Sequence, residues 1–349
     1  MKKSTEYIAV GGQALMEGIM MRGPKGTAVS LRLPDGTIET TMKDFVSIRK
    51  KNKFFNIPLI RGVVSFVESM ILGYNLLMES AEKTSLDFDA EESESKLDRW
   101  ITEHFGKKMM AALGFISAFL GIALSFFLFV WLPSFAFDKI NVLFFHESLT
   151  MFRAIFEGIA RVIIFVFYMW VVSKMKEIHR VYMYHGAEHK TIFCFEHGKE
   201  LTVDNIRPES RFHPRCGTSF IFVTLILSIL ISCVAAFLFP DVTKVRALWI
   251  AIKILIMPVI MGIGFEFIQL AGKYPNKCTR ALSAPGLLMQ RITTAEPDDA
   301  IIEVAIEAMK AALSGEVSVK SDDISDAESG ISNEESENAI SGDDSTAGV

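Results

Sequence analysis

Apolar residues in this chain gather into runs too long for the core of a soluble domain. Four of them, at 111–133, 154–173, 218–240 and 245–272, approach or exceed the roughly 20 residues that cross a bilayer's hydrocarbon core as a helix. A fifth stretch, 54–80, is apolar but interrupted. Arg61, Glu68 and Asn75 recur every seven residues with Ser65 between them, which draws one polar stripe along a helix. Near the start the period changes to two. Residues 29–33 and 37–42 flank Pro34-Asp35-Gly36, a hairpin turn signal, and residues 7–42 as a whole read as a small β-rich unit. Near the other end, Ile301, Ile302, Ala305, Met309 and Leu313 recur at helical spacing within 297–314, and Gly315 is a natural stop.

These patterns predict a mainly α-helical, polytopic membrane protein with about four transmembrane helices and a small cytosolic β-rich N-terminal unit. Its parts are the β-rich unit at 1–53, an amphipathic interfacial or re-entrant helix at 54–84, and an acidic then basic linker at 85–110. A four-span domain follows at 111–272 and carries a His-rich segment at 174–217. A segment with an amphipathic helix occupies 273–314, and an acidic tail 315–349. Composition agrees: half the residues are hydrophobic, 28 of them Phe, which excludes an ordinary soluble domain of this length. The start, MKKSTEYIAVGG, holds no apolar run of the kind a cleavable signal peptide needs.

Charge supplies orientation. The segment after the second run carries Lys174, Lys176, Arg180, Lys190, Lys199, Arg207, Arg211 and Arg215, whereas the connections around 134–152 and 241–244 are poor in cations. By the positive-inside rule the His-rich segment and both termini are expected in the cytoplasm. Basic residues also stand on both sides of 54–80 (Arg49, Lys50, Lys51 and Lys53 before it; Arg99, Lys107 and Lys108 beyond), so both of its ends favour the same face. The net charge of −5 hides an asymmetry, because residues 315–349 hold ten acidic residues and one lysine and leave the rest of the chain net positive. Such a tail cannot bury enough surface to fold and is expected to be disordered. Cys194, Cys216 and Cys278 fall on the reducing side and Cys233 within a span, so no disulfide framework is expected.

The chemistry concentrates in Tyr184–Cys216, where four of the seven histidines lie: His185, His189, His197 and His213. His185, Glu188 and His189 form an H-x-x-E-H pattern, which sets two imidazoles one helical turn apart with a carboxylate beside the second. Two such rings can hold one divalent ion, most naturally zinc, and Glu188 can then accept a proton from metal-bound water as general base. A third ligand is required. His213 is the first choice, with Cys216 three residues on and Glu266, a carboxylate inside the fourth span, close behind. If His185, His189, His213 and Cys216 all bind, the site is closed and structural; if one position stays open, it can be catalytic. The plain alternative is a hydrogen-bonded polar cap over the end of the second span. Glu157 and Arg161, one turn apart in the second run, can pair with each other, and Lys253 lies at comparable depth.

Four segments carry a further signal: GGQALMEGIMMRGP (11–24), YHGAEHKTI (184–192), HPRCGTSF (213–220), and APGLLMQRITTAEP continued by EVAIEAM (284–309). Together they resemble the YqhQ-type family of bacterial membrane proteins, a family of unknown function whose members are described as predicted metal-dependent enzymes. The likeness runs through residues 6–312. It implies a multi-pass protein of the bacterial cell membrane with a cytosolic His-rich segment, and it supplies no substrate. Two functions stand side by side. One is a metal-dependent hydrolase acting on a membrane peptide or lipid headgroup. The other is a non-enzymatic assembly or insertion factor for membrane proteins, with client segments, a translocase or the ribosome as partners and the metal or polar cap only structural. Membrane lipids are partners in either case. No aromatic-interleaved basic platform marks a specific nucleic-acid site.

Overall fold

A computed structural model describes residues 10–84, 116–145, 152–214, 216–273 and 277–316. The predicted linker at 85–110 and nearly all of the acidic tail lie outside the described residues, as does the side chain of Cys278. The N-terminal unit is a four-stranded antiparallel meander: β1 (Gly11–Leu15), β2 (Gly18–Gly23), β3 (Gly26–Arg32) and β4 (Ile38–Lys43). The hairpin expected around Pro34-Asp35-Gly36 joins β3 to β4. Gly36 takes φ +86, a left-handed conformation costly for a residue with a Cβ, and the Leu33 amide donates to the Thr37 carbonyl at 2.9 Å.

The glycine-rich segment before it is itself a hairpin, in which Leu15 pairs with Gly18 across a two-residue turn. Glu17, at φ 49, occupies that turn. Its carboxylate accepts from Arg180 Nη2 at 2.6 Å and from the Tyr184 hydroxyl at 3.1 Å, so the strained residue pins the hairpin to a helix 163 positions away.

The longer helices among the described residues are α1 (Ile60–Thr84), α2 (Ile116–Phe145), α3 (Arg153–Val172), α4 (Lys176–Glu196), α5 (Gly217–Leu238), α6 (Arg246–Lys273), α7 (Lys277–Thr293) and α8 (Asp299–Ser314). Among the described residues five of these, not four, are long and apolar enough to cross a membrane: α1, α2, α3, and most of α5 and α6. α3, α5 and α6 coincide within two residues with the apolar runs of the sequence. The first run is longer than its pattern suggested. Pro133 does not end it, because a π-helical turn at Phe127–Trp131 absorbs the ring that would clash one turn back, and the helix continues to Phe145. α1 is one unbroken 25-residue helix, so it does not turn back on itself.

The sheet is a layer between helices. Ile19, Met21 and Ala28 point to one face and join Tyr184, Ala187, Ile192 and Cys194 of α4 and Ile301, Ile302, Val304, Ala305 and Met309 of α8 in the main core. Leu15, Met20, Val29 and Leu31 point to the other face and meet Leu72, Leu76 and Leu77 of α1. The alternation follows from the two-residue period of a strand. α8 begins at Asp298, whose carboxylate accepts from the Ile301 amide, and ends at Gly315 with φ +80. Amphipathic in the sequence, it is buried on most sides once the sheet and α4 enclose it. The His-rich segment at 174–217 therefore contributes the 21-residue helix α4, which builds one hydrophobic core with the sheet and α8.

Candidate metal centre

α4 carries the H-x-x-E-H pattern, and its 3.6-residue repeat brings the rings of His185 and His189 to 4.4 Å between centroids. Gly186 costs helix propensity, and packing explains its presence. A Cβ there would stand 2.1 Å from the Ala295 carbonyl oxygen, where the segment after α7 runs against α4 and donates Ala295 N to Tyr182 O at 2.8 Å.

Each ring is fixed by a backbone carbonyl. His185 Nδ1 donates to Thr293 O at 2.8 Å, at the end of α7, and His189 Nδ1 donates to Arg211 O at 2.5 Å, in the segment that returns to α5. With both protons held on Nδ1, both Nε2 atoms present lone pairs. His185 Nε2 lies 3.2 Å from Cys216 Sγ. The ligand atoms of His185, His189 and Cys216 all lie within 4.8 Å of one another. A tetrahedral zinc ion would set such atoms roughly 3.3–3.6 Å apart, so a small inward shift suffices. Burial holds the His189 imidazolium below the usual range, which keeps the ring in its neutral, ligating form.

His213, first choice for the third ligand, stands beside this group rather than among the converging atoms. Its ring centroid is 5.7 Å from that of His189 and its Nε2 is 3.5 Å from the Glu196 carboxylate. Gln290 of α7 clamps its backbone: Gln290 Oε1 accepts from His213 N and Gln290 Nε2 donates to His213 O, both at 2.7 Å. Cys216 converges with the two imidazoles instead. Glu266 is elsewhere, held by Arg61 of α1, whose Nε donates to it at 2.7 Å.

Glu188 is buried on the side of α4 that meets β1. A Cβ on Gly12 would come within 2.9 Å of Glu188 Cγ, so the glycine makes room for the carboxylate. Burial raises the Glu188 carboxyl above the usual range, and the neighbouring imidazoles and the Gly12 amide offset only part of this.

The surrounding segment is braced by ion pairs. Buried Lys190 donates to Arg207 O at 2.8 Å and pairs with Glu296, and Glu209 accepts from Lys199 at 2.7 Å and from His197 at 3.0 Å. Gln290 and Gly12 escaped notice as site residues, although both lie in the segments that carry the family resemblance. Thr293 and Arg211 act through backbone carbonyls, which no side-chain pattern reveals.

A second polar centre lies among the apolar helices. Glu157 on α3 is 1% exposed and accepts from Lys253 of α6 at 2.8 Å, Arg153 at 3.0 Å, Arg161 at 3.2 Å and the Ser134 hydroxyl of α2 at 2.8 Å. Arg161 Nε also donates at 2.8 Å to Phe129 O, the carbonyl one turn before Pro133 and therefore deprived of its helical donor. Glu157, Arg161 and Lys253 were legible in the sequence; Arg153 and Ser134 were not.

Residues 57–315 match the family described as "Protein of unknown function (DUF1385)". The chain is 34% identical over 313 residues, 87% of its own length and 92% of the relative's, to the "Uncharacterized protein YqhQ" of Bacillus subtilis (strain 168). No solved structure matches it. His185, Glu188, His189, His213 and Cys216 all lie inside the matched region, and the chain belongs to the DUF1385 family.

Proposed function

We propose that this is a multi-pass membrane metalloprotein, both termini in the cytoplasm, that binds one zinc-class ion through His185, His189 and Cys216 and hydrolyses a bond at the cytosolic membrane surface. The observation that carries this reading is the pair of carbonyl anchors. Thr293 O and Arg211 O force both imidazole lone pairs toward one sulfur. Hydrogen bonding of ligand histidines through the other ring nitrogen is how metal sites orient their ligands. Three protein ligands leave a fourth tetrahedral position for water, whose pKa a zinc ion lowers to about 7. Glu188, buried beside His185, is the general base, and His213 with Glu196 completes the polar wall. A membrane peptide or a lipid headgroup fits a site at this position.

Metal analysis of the purified full-length protein tests the reading. About one zinc per chain is expected, lost in His185→Ala with His189→Ala and in Cys216→Ala. An apo wild type sinks it. Glu188→Gln separates the roles: an enzyme keeps its metal and loses function in cells, whereas full complementation overturns hydrolysis and leaves a structural ion.

The buried Glu157 centre favours the second reading, an assembly or insertion factor. Charged groups inside the span region are costly and mark functional paths. Three cations around one carboxylate, with a hydroxyl, line a place where a polar client segment can shelter. Co-purification with a translocase or ribosome, together with complementation by Glu188→Gln, supports that role over the enzyme.

A further inference from the structure

Five helices are long enough to cross the bilayer, yet the packing permits only an even number of crossings between certain elements. The sheet, α4 and α8 share one core. Such a unit, with its sheet edges and irregular turns, lies wholly on one side of the hydrocarbon region. From α4 to α8 the chain passes α5 and α6, two crossings that return it to the same side. From β4 to α4 the described residues pass α1, α2 and α3, and with these as the crossings one of the three must fail to cross.

The contacts single out α1. Its second half is fastened to the sheet: Leu72, Leu76 and Leu77 cover Leu15, Met20, Val29 and Leu31; the Met16 amide donates to Ser80 Oγ at 3.2 Å; Glu79 pairs with Lys43 and Lys83 with Glu39, each at 2.7 Å. Its first half sits at the sheet-side end of the bundle. Arg61 holds Glu266, a Cβ on Gly62 would touch Phe265 and Gly262 of α6, and Phe66 packs at 5.5 Å on Phe220, near the start of α5. α1 thus begins at one end of the bundle and ends on the sheet, without reaching the opposite end.

In the first half of α1, polar groups face inward: Arg49 donates to Ser65, and Glu68 accepts from the Ser47 hydroxyl at 2.7 Å and the Ile48 amide at 2.6 Å, whereas Ser69, Asn75 and Glu82 are exposed. The apolar groups face outward as a stripe of Val67, Met70, Ile71, Tyr74 and Met78, with Ile71 59% and Tyr74 63% exposed. Phe54, Ile57 and Leu59 extend this surface on the approach to α1, and exposed Lys51 and Lys53 flank it.

We propose that α1 lies in the plane of one leaflet, its Val67–Met78 stripe sunk to the headgroup–acyl boundary beside the sheet, and that the chain crosses the membrane four times through α2, α3, α5 and α6. The occupant of the stripe is lipid rather than a protein. α1 packs on α6, whose Met257, Val259, Ile263 and Leu270 are likewise exposed, and the lysines beside the stripe suit anionic headgroups at the shallow depth of an interfacial helix.

Cysteine accessibility of the full-length protein in sealed membrane vesicles of both orientations tests this, with wild-type labelling as the baseline for the native cysteines. Lys53→Cys and Glu82→Cys are expected to react with an impermeant maleimide from the same side. Tyr74→Cys is expected to react at least about ten-fold more slowly than Lys53→Cys until detergent is added, as an interfacial position should. A fluorophore on Tyr74→Cys, or on Met70→Cys should the first variant fold poorly, is expected to be quenched more by lipids brominated near the headgroup than by lipids brominated at the chain ends. Labelling of Lys53→Cys and Glu82→Cys from opposite sides would show a fifth crossing and overturn the proposal. Rapid labelling of Tyr74→Cys would show a water-facing stripe, and protection without lipid quenching a stripe covered by protein; either also overturns it.

Discussion

His185 and Cys216 meet at 3.2 Å, nitrogen to sulfur, although 31 positions separate them and Cys216 stands just before α5. The meeting is arranged from behind. Thr293 O fixes the ring of His185, and the braced segment between α4 and α5 delivers the sulfur. Affinity for the proposed ion should therefore depend on residues that never touch it.

Gly186→Ala is the sharpest such case. The new methyl would stand 2.1 Å from Ala295 O, two residues beyond the carbonyl that anchors His185. Backbone must move to relieve the clash, at about 1–3 kcal/mol or more for an overpacked core position. Thermal unfolding in detergent should show the loss of stability, and metal content should fall although every ligand is intact.

Gln290→Ala removes both bonds that clamp the His213 backbone. A buried donor and a buried acceptor are then left without partners, at about 1–3 kcal/mol for each. A lower melting temperature is expected. Zinc content should persist, because His213 is not among the three converging atoms; its loss would make His213 a fourth ligand.

Glu157→Gln leaves Arg153, Arg161 and Lys253 without their shared carboxylate. Breaking a buried ion pair from one side costs about 3–5 kcal/mol. The variant should be recovered in lower yield and melt earlier. Adding Lys253→Met, which removes one of the stranded cations, should restore part of the loss.

Acid should loosen the segment that carries Arg211, His213 and Cys216. Burial raises the Glu209 carboxyl, but the hydrogen bonds and charges of Lys199 and His197 outweigh burial and hold it below the usual range. Its folded pKa is lower than its unfolded one. The stability it contributes is therefore complete above the unfolded value of about 4.3 and lost as pH falls through the lower folded value. Glu209→Gln should flatten the acid side of a stability-versus-pH profile and leave the region above pH 7 parallel to wild type.

Much of the helical architecture was legible because a bilayer-length apolar run is a strong signal that needs no knowledge of neighbours. The same holds for the β3–β4 hairpin, written in Pro34-Asp35-Gly36, and for α8, written between Asp298 and Gly315. α2 was cut short at Pro133 because the remedy for that proline, a π turn and an Arg161 donor from another helix, is tertiary. The union of sheet, α4 and α8 was not legible, since nothing local says that three segments so far apart share a core. Within the site, the spacing of His185, Glu188 and His189 announced the two imidazoles. The place of Cys216 beside them, and of Glu266 beside Arg61, depends on how α5, α6 and α1 pack.

The neighbouring residues Gly12 and Gln13 give β1 a further consequence. Successive residues of a strand face opposite ways, so Gly12 backs onto Glu188 while the Gln13 amide rests on Gly73 of α1. One peptide unit thus separates a helix lying along the leaflet from the carboxylate assigned to the chemistry. A glycine forms one side of each contact, so the Gln13 and Glu188 side chains bear directly on backbone. A shift of α1 with the tension or composition of the lipid around it would be felt through Gln13 and β1 at Glu188, which would make the bilayer itself an effector of the site.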